Sequence, residues 1–393
     1  MSTVIVGYRR TPFVKFCGVF AQVSSVTLGA HAAKAALASA GVSPDSVDQV
    51  VVGQVLQAGV GQNPPRQTAV AAGVPMRVPA IGINAVCLSG AEAVVAAHRL
   101  IAMGEADVVL VVGQESMSLA PHAWNARAGH KFGPVATLDT MEFDGLTDAF
   151  QRQSMGASTE SFNEKFDVTR DVQDAFAASS HERVVAAQAA GVFEQEISPI
   201  EVAQGRTTVM VSSDDGVRAE TTAESLGTLR GAFAKDGTIT AGNASQLSDG
   251  AAALVLTSSE YAARHGLSPL AEVLSTRTVA GDDVSLHTQP SDAIERALSN
   301  AGLQTNDLRA VEINEAFAAV GVVSTAALGV DPAIVNANGG AIALGHPIGA
   351  SGARIAGHLA MRLRALGDGA VGALGICGGG GQGTAIVLRA VAS

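Results

Sequence analysis

Residues 36–52 read ALASAGVSPDSVDQVVV, and residues 297–313 read ALSNAGLQTNDLRAVEI. The two stretches are identical at five pairs of positions in one register: Ala36 and Ala297, Leu37 and Leu298, Ala40 and Ala301, Gly41 and Gly302, and Val50 and Val311. Each stretch closes a helical pattern with a glycine, as is usual just after a helix C-terminus, and then enters an apolar strand pattern. Taken alone, this match is also what any amphipathic helix ending in a glycine would show.

A second match follows the first. Ser89 begins SGAEAVVAAHRLI and Ser351 begins SGARIAGHLAMRL, and the two are almost as far apart as the first pair. Two matches in the same order indicate that the chain contains two copies of one α/β unit. The position equivalent to Cys87 lies beside His346 in the second copy. We therefore expect both residues at strand-to-helix turns that are related by pseudo-symmetry.

The length and the alternation of segments predict an α/β fold with more than one domain. A chain of 393 residues exceeds the usual size of a single hydrophobic core. Short Val/Ile runs alternate with longer Ala-rich segments, which is typical of α/β proteins. Residues 119–248 lack this alternation, and we predict that they form an inserted loop domain. Residues 1–118 and 249–270 would form the first half, and residues 271–393 the second.

Charge and cysteine content narrow the possible partners. The chain has 25 Lys and Arg against 36 Asp and Glu, a net charge of −11, which argues against nucleic acid and anionic membranes as partners. No stretch approaches the roughly 18 consecutive apolar residues of a membrane span. Three scattered cysteines, Cys17, Cys87 and Cys377, do not suit a disulfide framework and favour a cytoplasmic location.

Cys87 lies in the stretch NAVCLSG, immediately before a helical pattern. The dipole and free N–H groups of a helix N-terminus favour a thiolate, so this position predicts a lowered pKa and a nucleophile. A buried, unreactive cysteine is an equally good interpretation of this stretch alone, because free cysteines are among the most buried residues.

Three further stretches carry unusual residues: EINEAF around Asn314, NANGGAIALGHPIGASG around His346, and GICGGGGQG around Cys377. A lone histidine is more often structural, but glycines near His346 would let backbone approach a ligand. Four consecutive glycines after Cys377 also indicate a close approach of backbone to a ligand. A flexible turn between two strands is the alternative interpretation of that run.

Together these stretches identify a family: the chain resembles the thiolases, of the acetyl-CoA acetyltransferase type. The likeness covers nearly the whole length, in RTPFVKFCG, GQNPPRQTAVAAGVP, GQESMSLAPH, DTMEFDGLTDAF, TAGNASQLSDGAAA, NEAFA, NGGAIALGHPIGASGARI and CGGGGQG. The resemblance implies two similar α/β halves whose sheets and helices stack as five layers, αβαβα. A loop domain would cover the active site.

The resemblance also implies catalytic roles. Cys87 would accept an acetyl group from acetyl-CoA after activation by His346, and Cys377 would deprotonate a second acetyl-CoA to give acetoacetyl-CoA. His346 and a water molecule held by Asn314 would stabilise the enolate oxygen. The backbone N–H groups of Cys87 and Gly379 would form a second oxyanion hole.

Coenzyme A thioesters are the implied substrates, with no metal or redox cofactor, and a homodimer or homotetramer is the implied assembly. Eleven positions match the family's substrate-binding residues: Leu146, Met155, Arg218, Ser225, Ala232, Phe233, Ala241, Ala244, Ser245, Ala316 and Phe317. Arg218 would contact the ADP portion, although a solvated surface charge is the alternative interpretation of this residue.

Two residues depart from the family pattern. Ser154 stands where the biosynthetic enzymes usually have a histidine, which affects the preference for acetyl groups. Leu88 stands where glycine or serine is usual, and we expect a bulkier residue there to alter the acyl pocket. A 3-ketoacyl-CoA thiolase of fatty-acid breakdown is therefore the near alternative. A ketoacyl synthase, which has no cysteine base, and a CoA-binding scaffold without activity are the more distant ones.

Overall fold

The computed structural model describes residues 1–391, and the last two residues of the predicted second half, 392 and 393, lie outside the described residues. The strands are β1 Thr3–Arg10, β2 Val14–Lys15, β3 Gln49–Gly53, β4 Ala80–Ile83, β5 Val108–Glu115, β6 His122–Ala123, β7 Leu138–Asp139, β8 Ile200–Gln204, β9 Thr207–Val211, β10 Ser248–Ser258, β11 Ala271–Ala280, β12 Leu308–Ile313, β13 Val371–Gly378 and β14 Gln382–Ala390. The helices are α1 Ser25–Ala40, α2 Pro64–Ala71, α3 Ser89–Ala102, α4 Met155–Glu160, α5 Arg170–Ala189, α6 Ala223–Gly227, α7 Ser259–His265, α8 Gln289–Asn300, α9 Ala318–Leu328, α10 Ala341–Leu344 and α11 Ile348–Leu366. Within the described chain, no helix is long and apolar enough to cross a membrane.

The two copies of the sequence repeat fold alike. Gly41 follows α1 with a φ of 66°, and Gly302 follows α8 with a φ of 69°. Both angles lie in the left-handed region, which glycine adopts without a steric penalty. In each copy the chain then enters a strand, β3 or β12, that pairs in parallel with a neighbour.

The sheets of the two halves are mixed and have the same arrangement. Strands β4, β3 and β5 pair in parallel, while β5, β10 and β1 pair antiparallel. In the second half β12 and β13 pair in parallel, and β13, β14 and β11 pair antiparallel. The halves are joined edge to edge, because Thr3, Val4 and Ile5 of β1 pair with β11. This edge pairing was not foreseen from the sequence.

The helices complete the layers. Helices α3 and α11 contact strands of both halves, whereas α1 packs on the outer face of the first sheet and α8 on the outer face of the second. The largest buried apolar cluster lies around α3 and α11, between the two sheets. The five-layer αβαβα arrangement is therefore confirmed.

Helices α3 and α11 cross with their backbones in contact. A Cβ atom on Gly90 would lie 2.6 Å from the Ala353 backbone nitrogen, and one on Gly352 would lie 2.2 Å from that of Ala91. Only glycine fits such an approach. Gly90 and Gly352 are matched positions of the second sequence repeat, so the crossing lies on the pseudo-symmetry that relates the halves.

A buried ionic cluster connects the two halves with the segment between β5 and β10. Arg10 lies 2.8 Å from Glu196 through Nε and 2.6 Å from Asp214 through Nη1. Glu196 also lies 3.0 Å from Nδ1 of His358 on α11. Burial opposes ionisation of Glu196, but Arg10 and His358 outweigh it and lower its pKa to about 2. The cluster thus ties α11 to β1 through the intervening segment.

The division of the chain into two halves and a loop domain stays a prediction. The predicted boundaries at 249 and 271 lie next to the start of β10 at Ser248 and of β11 at Ala271. Between β5 and β10 the elements are short, apart from the 20-residue helix α5. We propose this segment as the loop domain.

Candidate active site

Cys87 and His346 line one cavity of about 470 Å³. Cys87 precedes α3 and His346 precedes α11, so both occupy turns at helix N-termini. The remaining walls are mainly apolar and come largely from the segment between β5 and β10 and from the turn after β12. The close crossing of α3 and α11 thus brings the two candidate catalytic residues, Cys87 and His346, to one cavity.

The turn that carries Cys87 is strained. Val86 has a φ of 52°, a left-handed conformation that is rare for a β-branched residue and costs about 1–3 kcal/mol. The Ser89 hydroxyl accepts from the Ala85 N–H at 3.0 Å and donates to the Val86 carbonyl oxygen at 2.6 Å. Sequence reasoning missed these residues, because the residue types of the turn do not signal its strain.

The predicted lowering of the Cys87 pKa is wrong. Burial raises the pKa of Cys87 to about 12, and the Glu115 carboxylate acts in the same direction. The N–H groups of Cys87 and Gly379 point to the thiol and oppose this shift without cancelling it. Desolvation therefore outweighs the helix N-terminus, and the thiol keeps its proton at neutral pH unless a base removes it.

His346 is suited to be that base. Its Nδ1 lies 2.6 Å from Oγ of Ser351, and its Nε2 has no hydrogen-bond partner within residues 1–391. Burial lowers the pKa of His346 to about 4, and the Arg354 guanidinium acts in the same direction. The imidazole is therefore neutral at pH 7 and has a free nitrogen to accept a proton.

Cys377 lies at the end of β13 and is fully buried. It packs in a cluster with Met155, Ala316 and Phe317, all of which line the cavity. Burial raises the pKa of Cys377, and the neighbouring Cys87 adds to this effect. Cys87 is therefore close enough to influence the ionisation of Cys377.

The glycine run after Cys377 serves two purposes. Gly380 and Gly381 have φ angles of 82° and 68° and form the turn between β13 and β14. A Cβ atom on Gly381 would lie 2.1 Å from the carbonyl oxygen of Asp283. These two glycines thus serve the turn, the alternative interpretation, whereas Gly379 directs its N–H to the Cys87 thiol.

Asn314 follows β12 and is fully buried. Neither its side-chain oxygen nor its nitrogen has a hydrogen-bond partner among the described residues. The next residue, Glu315, accepts from Oγ of Ser180 at 2.7 Å and from the Ile342 N–H at 3.0 Å. These contacts hold the turn in place, and they leave the Asn314 amide available to a ligand.

Comparison with known protein families decides the identity. The thiolase N-terminal domain model matches residues 3–260, and the thiolase C-terminal domain model matches residues 267–390. The chain belongs to the thiolase family.

Individual relatives are similar to this thiolase over nearly the full length of both chains. A probable acetyl-CoA acetyltransferase of Mycolicibacterium smegmatis is 51% identical, over 98% of this chain and 100% of the relative. The acetyl-CoA acetyltransferase of Rhizobium meliloti is 46% identical, over 99% and 98%. The crystal structure of human mitochondrial 3-ketoacyl-CoA thiolase superposes with a TM-score of 0.94 at 38% identity, over 100% of this chain and 99% of that one.

The structure brings most of the predicted substrate-binding residues of this thiolase to the cavity. Nine of the eleven line it: Leu146, Met155, Ala232, Phe233, Ala241, Ala244, Ser245, Ala316 and Phe317. Arg218 and Ser225 do not. Arg218 is exposed and its backbone N–H donates to Nδ1 of His181 at 3.1 Å, while Ser225 forms a capping box with Thr222 at the start of α6.

The two departures from the family pattern have different outcomes in this thiolase. Ser154 lines the cavity, but its hydroxyl accepts from the Ala157 N–H at 3.2 Å and caps α4. Leu88 is only 1% exposed and packs between the two sheets, where a Cβ atom on Gly378 would lie 2.7 Å from its Cγ. The expectation that Leu88 alters the acyl pocket is therefore wrong, because its side chain points into the central layer.

Glu115 is a further residue of the site that sequence reasoning missed. Its carboxylate accepts from the N–H groups of Val55, Leu56 and Gly349 at 3.0, 3.1 and 2.9 Å. Burial raises the pKa of Glu115 to about 7, although these N–H groups oppose the shift. The carboxylate links the segment after β3 to the first turn of α11, close to His346. A glutamate ending a Val-rich strand gives no sequence signal of this role.

Proposed function

We propose that this thiolase is an acetyl-CoA C-acetyltransferase. It condenses two acetyl-CoA molecules reversibly to acetoacetyl-CoA and CoA, by a ping-pong mechanism through a cysteine thioester. This proposal is carried by Cys87 and His346 on the wall of one cavity, with Cys377 packed against the lining residues Met155, Ala316 and Phe317. The names of the full-length relatives support it.

The first half-reaction acetylates Cys87. Nε2 of His346 takes the thiol proton, and the resulting thiolate attacks the carbonyl carbon of acetyl-CoA. The N–H groups of Cys87 and Gly379 lie beside the Cys87 sulfur and stabilise the oxyanion, because the carbonyl oxygen of acetyl-CoA comes next to them when the new bond to that sulfur forms. When the intermediate collapses, the bond to the CoA sulfur breaks and the leaving thiolate takes the proton from His346.

The second half-reaction forms the carbon–carbon bond. His346, neutral again after the first half-reaction, takes the Cys377 proton. The Cys377 thiolate then removes a proton from the methyl group of a second acetyl-CoA, and its raised pKa makes it a stronger base. His346 and a water molecule held by Asn314 stabilise the enolate oxygen. The carbanion attacks the thioester carbonyl, the bond to Cys87 breaks, and the Cys87 sulfur takes the proton from His346, while Cys377 keeps the proton of the methyl group.

A Cys377→Ala variant separates the two half-reactions. Acetyl-CoA should still acetylate Cys87 in this variant, as mass spectrometry of the intact chain would show. Thiolysis of acetoacetyl-CoA should fall by about 10²–10⁴-fold, because in this direction Cys377 is the general acid that protonates the leaving carbanion of acetyl-CoA. A variant with full thiolysis activity would exclude this mechanism, and failure of wild-type Cys87 to acetylate would favour a binding protein without activity.

The apolar cavity walls support a pantetheine channel, and we propose the nine lining positions as contacts of the substrate. We propose Arg218 and Ser225 as contacts of the ADP portion outside the cavity, since both are exposed.

A homodimer or homotetramer is the proposed assembly. The exposed edge strand β4 and the exposed side chains of Trp124 and Phe132 support it. A cytoplasmic location agrees with three cysteines that are free in the described chain.

A 3-ketoacyl-CoA thiolase of fatty-acid breakdown is the second candidate. It is favoured by Ser154, whose small side chain caps α4 at the cavity wall. Thiolysis rates with 3-ketoacyl-CoA substrates of increasing chain length distinguish the two candidates. The acetyl-specific proposal expects acetoacetyl-CoA to be the best substrate, and a thiolysis rate that rises strongly with chain length would contradict it.

A Ser154→His variant should lower the thiolysis rate of longer substrates by about tenfold relative to acetoacetyl-CoA, because a larger side chain narrows the cavity.

A further inference from the structure

Ser351 contacts the catalytic histidine from the first turn of α11. Its Oγ lies 2.6 Å from Nδ1 of His346 and 3.0 Å from the carbonyl oxygen of Pro347. The side chain is 1% exposed, so water does not compete for these contacts. Nothing in the proposed chemistry uses this hydroxyl directly.

The two contacts together set the direction of the hydrogen bonds. A hydroxyl has a single proton to donate, and a carbonyl oxygen only accepts. The Pro347 oxygen also accepts from the N–H groups of Ala350 and Ser351, but its 3.0 Å contact with Oγ is attractive only if the hydroxyl donates to it. Oγ of Ser351 is then left to accept from an Nδ1–H of His346. In a neutral imidazole with a proton on Nδ1, the other nitrogen, Nε2, carries a lone pair. Nε2 is the nitrogen without a partner among the described residues.

The other copy of the repeat uses its serine in the same way. Ser89, matched to Ser351 in sequence, accepts from the Ala85 N–H and donates to the Val86 carbonyl oxygen. Both serines thus accept one hydrogen bond and donate another to a carbonyl oxygen of the turn that holds a reactive residue. The difference is that Ser89 accepts from backbone, whereas Ser351 accepts from the catalytic side chain.

We propose that Ser351 is a positioning residue that holds His346 in the Nδ1–H form, so that Nε2 presents its lone pair to the Cys87 thiol. The inference rests on the proposed function, in which His346 takes that proton. A third group that orients the base is a general feature of activated nucleophiles. Here the orienting group is a neutral hydroxyl, which fixes the imidazole without adding a charge to the cavity.

Single-turnover acetylation of Cys87 by acetyl-CoA tests the proposal in the full chain. Ser351→Ala should slow acetylation by about 10–100-fold, the loss typical of removing a residue that orients a functional histidine. The KM for acetyl-CoA should change less than about threefold, and Ser351→Thr should recover most of the rate. Ser275→Ala is the matched control. Ser275 lies on β11, is buried, and donates to the Ala297 carbonyl oxygen at 2.6 Å. Its acetylation rate should equal that of wild type.

The pH dependence of the acetylation rate shows whether Ser351 controls the tautomer of His346 or its charge. The pKa of His346 is lowered to about 4 by burial and Arg354, so wild-type acetylation should lose no base as the pH falls from 8 to about 5. Below that, protonation of Nε2 should remove the lone pair and the rate should fall. Ser351→Ala should be slower by the same factor throughout the upper range.

Nitrogen NMR of ¹⁵N-histidine-labelled protein reads the tautomer directly. The chain has nine histidines, and a His346→Gln variant assigns the relevant signals by their loss. Wild type should show a protonated Nδ1 and an unprotonated Nε2, and Ser351→Ala a mixture of both forms. A wild type that is mainly protonated at Nε2, or a Ser351→Ala variant that acetylates within twofold of wild type, would overturn the inference. Absence of acetyl on wild-type Cys87 would instead overturn the proposed function, and the NMR result would still decide the tautomer.

Discussion

Replacement of Cys87 by alanine is expected to lower acetoacetyl-CoA thiolysis by at least about 10⁴-fold, the scale seen when a covalent nucleophile is removed. This factor corresponds to about 5.5 kcal/mol of lost transition-state stabilisation. No second thiol takes its place, because Cys377 is the proposed base of the second half-reaction and Cys17 is exposed outside the cavity. Without the Cys87 sulfur no tetrahedral intermediate forms at the two N–H groups beside it, so their stabilisation of an oxyanion is lost as well.

The measurement combines steady-state thiolysis with mass spectrometry of the intact chain after brief exposure to acetyl-CoA. The Cys87→Ala variant should gain no acetyl group. A Cys17→Ser variant is the control for general loss of a thiol, and it should keep wild-type rates because Cys17 lies outside the cavity. More than about 1% residual activity in Cys87→Ala would be incompatible with the thioester mechanism.

Arg10→Met is expected to destabilise the folded protein by about 3–5 kcal/mol, the cost of removing one partner from a buried ionic cluster. Arg10 is fully buried and forms hydrogen bonds to Glu196 at 2.8 Å and to Asp214 at 2.6 and 2.8 Å. Methionine fills part of the volume but leaves both carboxylates without their main cation. The destabilisation should therefore exceed that of any exposed ion pair.

Urea unfolding followed by circular dichroism and by activity measures this effect. Arg77→Met is the matched control, since Arg77 pairs with Asp45 at 3.4 Å with side chains 67% and 75% exposed. The free energy of unfolding of Arg77→Met should be lower than that of wild type by less than about 1 kcal/mol. An equally small decrease in the free energy of unfolding of Arg10→Met would show that the ionic cluster does not hold β1, α11 and the segment between β5 and β10 together.

The same cluster predicts how stability depends on pH. Burial disfavours the Glu196 carboxylate, but Arg10 and His358 lower its pKa from the usual 4.5 to about 2. A depressed carboxylate pKa stabilises the fold above pH 4.5, and this contribution is lost as the pH falls toward 2. Arg10→Met should weaken that acid dependence.

Much of the fold followed from sequence. The paired matches predicted two copies of one unit, and Gly41, Gly302, Gly90 and Gly352 occupy equivalent positions in the two copies. The number of layers came from the resemblance to thiolases. The joining of β1 to β11 could not be foreseen, because the pairing of two edge strands depends on how the complete halves meet.

The sequence predicted that Cys87 and His346 lie at related turns, which the structure brings to one cavity, but it did not predict the electrostatics there. The position of Cys87 before a helix predicted a lowered pKa, yet burial raises it, since desolvation depends on packing from distant segments. Leu88 was assigned to the pocket, although its side chain points into the central layer. Ser351 gave no signal either, because the role of a serine is decided by the group that lies opposite its hydroxyl.

The crossing of α3 and α11 has a consequence for how activity is lost. Cys87 belongs to one copy of the duplicated unit and His346 to the other, and Gly90 and Gly352 hold the two helices at backbone contact just beyond these residues. In the proposed mechanism neither copy is active by itself, however well it is folded. Activity therefore reports the docking of one copy against the other, and mild denaturation that parts them should inactivate the enzyme while its helices and strands persist.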